Sequence, residues 1–196
     1  IAVTETTTSM AVEAAKRAIE NAGISAEELD LIIVASVSTD HHYPSTACEV
    51  QSALSAKNAV AFDLTAVCSG FLYAASVGSQ YIASGVYNNV LVIGADTFSK
   101  ITDWTRRDAI FFGDGAGAAI VGPSKDGVLC IEGGADGTKG PALTLGNAPL
   151  VNPFTSHEPT KQYVEMDGQA VFKFAVRKIP QIINNLTAQA SLTPAD

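Results

Sequence analysis

The 196-residue chain is predicted to be an α/β protein built on a largely parallel sheet. Two observations point there. Apolar strand-like runs alternate with helix-patterned segments through residues 1–100, the pattern of parallel strands covered by helices on both faces. The run Leu31-Ile-Ile-Val-Ala is also continuously apolar, as strands buried on both faces are.

In order along the chain, Ser9 is predicted to cap a helix over about residues 10–21. Ala11, Ala14, Ala15, Ala18 and Ile19 form its apolar face, and Gly23 ends it. Residues 31–36 are the first strand. A polar loop with His41, His42, Tyr43 and Pro44 follows, and Thr46 caps a second helix to about Ala56. Residues 59–64 form the second strand, 69–84 a third helix closed by Gly85, and 89–94 the third strand. Residues 116–122 and 128–134 look like two further strands joined by a Ser-Lys-Asp-Gly turn, free to pair antiparallel. Residues 135–163, rich in Gly, Pro, Asn and Thr, read as a long irregular segment, a length that usually marks a functional loop. From Gly168 to about Ala190 the pattern is helical, with Phe172, Ala175, Val176 and Ile179 on one face. Pro180 is expected to kink or divide that helix.

Composition narrows the function. Hydrophobic residues make up 47% and charged residues 16%, so a large share of the surface is expected to be covered, a partner chain being one means. A net charge of −8 argues against nucleic acid. No 18-residue apolar run exists, so no membrane partner is expected. Cys48, Cys68 and Cys130 are an odd count at irregular spacing, neither a disulfide framework nor a zinc pattern, which suits a reducing cytoplasm. His41, His42 and His157 form no ligand set with helical spacing, so no metal site is expected. Gly113-Asp114-Gly115-Ala116-Gly117 lacks the Gly-Lys-Ser/Thr of a phosphate loop and precedes a strand, so its glycines are read as allowing close backbone approach.

Cys68 is the leading candidate for chemistry. It follows the second strand at a short turn into the third helix. Unpaired N–H groups at a helix N-terminus favour negative charge, and the thiolate is the nucleophilic form of cysteine. Such a position also supplies backbone donors for an oxyanion. Position alone leaves a buried structural cysteine equally open. Cys48 and Cys130 lie in apolar helix and strand patterns and are expected to be buried and inert.

Four segments extend the reading: HHYPSTACEVQSAL, DLTAVCSGFLYA, IFFGDGAGAAIVG and MDGQAVFKFAV. In order and spacing they resemble β-ketoacyl-ACP synthase III, a condensing enzyme with a thiolase-like fold, and the resemblance runs along essentially the whole chain. It implies a layered α-β-α-β-α architecture of two similar halves. Residues 1–165 would be the first half and 166–196 the start of the second.

The resemblance further implies that Cys68 takes an acyl group from acyl-CoA and that malonyl-ACP then condenses with it by decarboxylation, starting fatty-acid synthesis. It requires no cofactor and implies a cytoplasmic homodimer. The family's decarboxylating His and Asn fall beyond residue 196, so the isolated chain is expected to be catalytically incomplete. Tyr43 matches an aromatic passed across the dimer interface to close the partner's acyl pocket, where pattern alone gives only a loop aromatic. Arg107, with Trp104 nearby, matches a CoA-nucleotide contact, where pattern alone gives a solvated arginine pair. Met166 and Phe172 match residues lining the tunnel, where periodicity alone would place them in a core. Lys173 and Arg177 share a helix face at i, i+4 and would meet the acidic carrier protein, although a solvated face explains them equally. Other readings remain: a quinolone or polyketide starter enzyme, a hydroxymethylglutaryl-CoA synthase type, or a non-catalytic dimer subunit.

Overall fold

The structure, a computed structural model, describes residues 1–125, 127–146, 154 and 163–193. The chain forms two compact units. One comprises Ile1–Lys100 with Gly113–Gly127, the other Ile101–Phe112 with Val128–Asp196.

The first unit opens with helix α1 (Thr7–Ala22) and strand β1 (Leu31–Ala35). Helix α2 (Thr46–Leu54) and strand β2 (Val60–Leu64) follow. Helix α3 (Gly70–Ala83), strand β3 (Val90–Thr97) and strand β4 (Asp114–Val121) complete it. The sheet order is β2-β1-β3-β4. β1 is parallel to both β2 and β3, with Leu31 level with Val60 and Val90, whereas β4 runs antiparallel to β3.

Successive strand residues face opposite sides, so β1 and β3 feed two cores. Ile32, Val34, Leu91 and Ile93 pack with Ala11 and Ala15 of α1 and Val50 of α2. Leu31, Ile33, Val90 and Val92 pack with Ala74 of α3 on the other side. All five β1 residues are buried, which is why that run carries no polar alternation. α3 lies very close to the sheet. A Cβ on Gly78 would sit 3.1 Å from Val90 Cγ1, and one on Gly70 3.0 Å from Ala35 Cβ.

In the second unit, strands β5 (Leu143–Leu145) and β6 (Val164–Met166) pair antiparallel. Helix α4 (Gly168–Gln189) follows. Asp167 caps α4, its carboxylate accepting from Gln169 N–H at 3.1 Å and Ala170 N–H at 3.0 Å.

The alternation of helices and strands through β3 matches expectation, with specific corrections. Thr6, not Ser9, caps α1. Ser9 takes the reciprocal place three residues on, its Oγ accepting from Thr6 N–H at 2.8 Å. Ser45, not Thr46, caps α2. β3 extends three residues past the expected end, because β4 pairs with it as far as Thr97. The described residues of 128–134 form no strand. β4 takes β3 as partner, so no hairpin forms about the Ser-Lys-Asp-Gly turn. The segment from 135 is less irregular than expected. It holds a 3₁₀ turn (Gly137–Ala142) and β5, while residues 147–153 and 155–162, with His157, lie outside the described residues. α4 runs undivided through Pro180. Phe172, Val176 and Ile179 on it are exposed, so they do not form a core within this chain.

Candidate active site around Cys68

β2 delivers the chain to a 3₁₀ turn, Val67–Ser69, and α3 begins at Gly70. Two bonds hold the turn's base to the end of β1: Ser36 N–H to Leu64 O at 3.4 Å and Thr65 Oγ1 to Ser36 O at 3.5 Å. Ser69 N–H donates to Ala66 O at 3.1 Å. Val67 has φ 48°, the left-handed region, where a β-branched residue costs about 1–2 kcal/mol. This reversal lies between the end of β2 at Leu64 and the start of α3 at Gly70, and it places Cys68 in the middle of the 3₁₀ turn, two residues before the helix. The thiol is exposed, so the structural-cysteine reading does not describe it. Exposed apolar side chains adjoin it on α3, Leu72 at 67% and Phe71 at 37%, with Phe71 against Gly94 of β3.

Cys48 is also exposed and Cys130 is half-buried, against the expectation that both are buried. Cys48 lies on the open side of a short helix, its sulfur 3.8 Å from Ala61 O. The sulfur of Cys130 lies 3.5 Å from Leu186 O of α4. Gly113, Gly115 and Gly117 make no close backbone approach, since a Cβ on any of them meets nothing within 4 Å.

Tyr43 sits on the β1–α2 loop, 87% exposed. Three carboxylates that sequence reasoning did not single out fix this loop. Asp96 Oδ1 on β3 accepts from Val37 N–H at 2.9 Å and Ser38 Oγ at 2.6 Å. Asp40 accepts from Thr8 N–H and from Lys100 Nζ, each at 2.8 Å. Burial opposes the charge on Asp40, but the bonds from Lys100 and Thr8 outweigh it and hold the carboxyl well below the usual carboxylate range. Asp63 on β2 accepts from Thr46 N–H at 2.8 Å and Ala47 N–H at 2.7 Å. One signal was legible: Asp63 is a charge inside an apolar strand run, Val-Ala-Phe-Asp-Leu.

The other predicted residues lie in the second unit. Trp104 and Arg107 are exposed, Arg107 opening a 3₁₀ turn (Arg107–Phe111). Arg106 is committed elsewhere. Its guanidinium donates to both carboxylate oxygens of Asp108, at 2.9 and 2.8 Å, and contacts Met166 O at 3.4 Å. Met166 is half-buried at the end of β6, opposite Leu143. Phe172, Lys173 and Arg177 are exposed on α4. Among the described residues no three His, Cys, Asp or Glu side chains gather as a metal site, and no helix is long and apolar enough to cross a membrane.

Residues 62–137, from within β2 through Cys68, α3, β3 and β4, match the family model for 3-oxoacyl-[acyl-carrier-protein (ACP)] synthase III. A Clostridium perfringens beta-ketoacyl-[acyl-carrier-protein] synthase III is 44% identical over 200 residues, covering 100% of this chain and 62% of the relative. A Bacillus cereus protein of the same name, numbered 1, is 45% identical over 193 residues, covering 97% of this chain and 57% of its own. The crystal structure of 3-oxoacyl-[acyl-carrier-protein] synthase III from Aquifex aeolicus superposes with TM-score 0.88 at 40% identity, over 100% of this chain and 60% of that one. The chain thus spans about three fifths of the length of these relatives.

Proposed function

We propose, from the premise that this chain belongs to the 3-oxoacyl-[acyl-carrier-protein] synthase III family, that Cys68 is the acyl acceptor of a decarboxylative condensing enzyme. The carrying observation is an exposed thiol at the turn where β2 meets α3, inside the family-matched segment. The Cys68 thiolate attacks the carbonyl carbon of acyl-CoA, and CoA leaves as its thiolate, giving a thioester. The Cys68 N–H supports the oxyanion of that step. Malonyl-ACP then loses CO2. Its carbanion attacks the thioester carbon, releasing the Cys68 thiolate and a β-ketoacyl-ACP.

The remaining residues take supporting roles in this reading. Arg107 meets the CoA nucleotide, with Trp104 beside it in sequence. The occupied guanidinium of Arg106 favours its neighbour for that task. Met166 and Phe172 line the acyl and pantetheine path, and Tyr43 closes an acyl pocket across a homodimer. Lys173 and Arg177 offer a positive helix face to the acidic carrier protein, in a chain whose net charge of −8 otherwise repels it. The enzyme acts in the cytoplasm and uses no cofactor. Incubating the full-length protein with acetyl-CoA should add the mass of one acetyl group, and Cys68→Ala should abolish the adduct. An adduct that survives Cys68→Ala, or none on the parent protein, rejects the assignment.

A further inference from the structure

We infer that Asp63 is a positioning residue that sets acyl-chain selectivity by fixing the loop that carries Tyr43. The inference rests on the reading of Tyr43 as a pocket wall.

The first N–H groups of a helix have no partner within the helix and need acceptors from elsewhere. In α2 the Ser45 side chain serves only Cys48 N–H, at 3.3 Å. The two preceding amides, Thr46 and Ala47, both donate to the Asp63 carboxylate, one to each oxygen, at 2.8 and 2.7 Å. Bonds to an ionised acceptor are about twice as strong as neutral ones. The start of α2 is therefore decided by a tertiary contact to β2 as well as by its own cap.

That contact has a consequence for the site. Asp63 stands on the strand that leads into Cys68, level with Val34 of β1. The same carboxylate grips the residues three and four beyond Tyr43. At the loop's other end Asp96 holds Val37 and Ser38. Tyr43 is highly exposed and has no core packing to orient it. Asp40, bonded to Thr8 and Lys100, and His41, 2.7 Å from Glu49 Oε1, hold the loop before Tyr43 as well, and Asp63 is the anchor beyond it and the one borne by the nucleophile's own strand.

The test uses the full-length protein and two probes, acetyl-CoA and hexanoyl-CoA, with kcat and KM for thioester formation measured for each. Tyr43→Ala should change the hexanoyl-to-acetyl ratio of kcat/KM. Asp63→Asn should move that ratio the same way by about fivefold, the equivalent of one lost hydrogen bond of about 1 kcal/mol. The double variant should move it no further than Tyr43→Ala does. Thr46→Pro provides a second variant that leaves Asp63 in place. It removes one of the two donors at a helix position that accepts proline, and Thr46 Oγ1 has no hydrogen-bond partner to lose. It should shift the ratio in the same direction. If Tyr43→Ala moves the ratio while Asp63→Asn and Thr46→Pro leave it within about twofold, Asp63 is a structural cap and the inference falls, with the reading of Tyr43 intact. If Tyr43→Ala itself leaves the ratio unmoved, the pocket reading falls and takes the inference with it.

Discussion

Replacing Gly70 by alanine tests whether the placement of Cys68 is set by how closely α3 approaches the sheet. A Cβ on Gly70 would sit 3.0 Å from the Cβ of Ala35. Ordinary carbon contacts lie at about 3.5–4.0 Å, so one side must retreat by a few tenths of an ångström. Ala35 lies on β1, which is paired on both edges and buried, so the helix start is the side that yields. Overpacking of this kind costs about 1–3 kcal/mol. Up to about 1 kcal/mol is recovered because alanine is the better helix former. Gly70 has ordinary helical angles, φ −56° and ψ −48°, so no backbone strain is added. The expected net destabilisation is about 1–2 kcal/mol, read by denaturant unfolding. Cys68 adjoins the helix start, and a shift of a few tenths of an ångström is well short of the roughly 1 Å that costs about a hundredfold, so acetyl-CoA loading should slow by up to about tenfold. Adding Ala35→Gly removes the opposing methyl and should restore both quantities in large part, a coupling of about 1 kcal/mol or more. Unchanged stability and loading in Gly70→Ala, or no recovery in the double variant, would refute the reasoning.

Two further outcomes follow from other parts of the structure. Asp40→Asn should destabilise the fold by about 1.5–3 kcal/mol at neutral pH, because the carboxylate's charge-assisted bonds to Thr8 N–H and Lys100 are lost. Its carboxyl is held below the usual value of 3.8, so its contribution is fully present above that pH and fades as the pH falls through the lowered folded-state value. The stability difference between parent and variant should therefore shrink on acidification, and a difference that grows instead rejects the assigned sign. Charge reversal in Lys173→Glu should raise the KM for malonyl-ACP and spare acyl-CoA loading. An unchanged KM removes α4 as the carrier-protein surface.

Most of the first unit was legible because its signals are local. Leu31 to Ala35 is apolar throughout, and only a strand covered on both faces tolerates that. Gly23 and Gly85 mark the ends of α1 and α3 with left-handed φ of 66° and 73°. Where expectation failed, a distant partner decided. β3 runs on to Thr97 because β4 pairs with it that far, and 128–134 has no strand partner in the place the turn suggested. The three carboxylates that hold the Tyr43 loop were missed for the same reason. Their partners lie far away in sequence, Asp63 from Thr46, Asp40 from Lys100 and Asp96 from Val37. No periodicity or motif encodes such pairings.

The class of fold, the order of its elements through β3 and the position of Cys68 between strand and helix are written in the amino-acid sequence. Residue type, spacing and local backbone preference suffice for those. The three-dimensional fold adds that the thiol is exposed while the strand before it is partly covered, and that Val67 turns the chain through a left-handed conformation next to it. It also decided that α3 sits so close to β1 that a methyl at Gly70 would crowd Ala35. Each depends on close contact between segments far apart along the chain, where packing and hydrogen-bond geometry act over distances of a few ångströms.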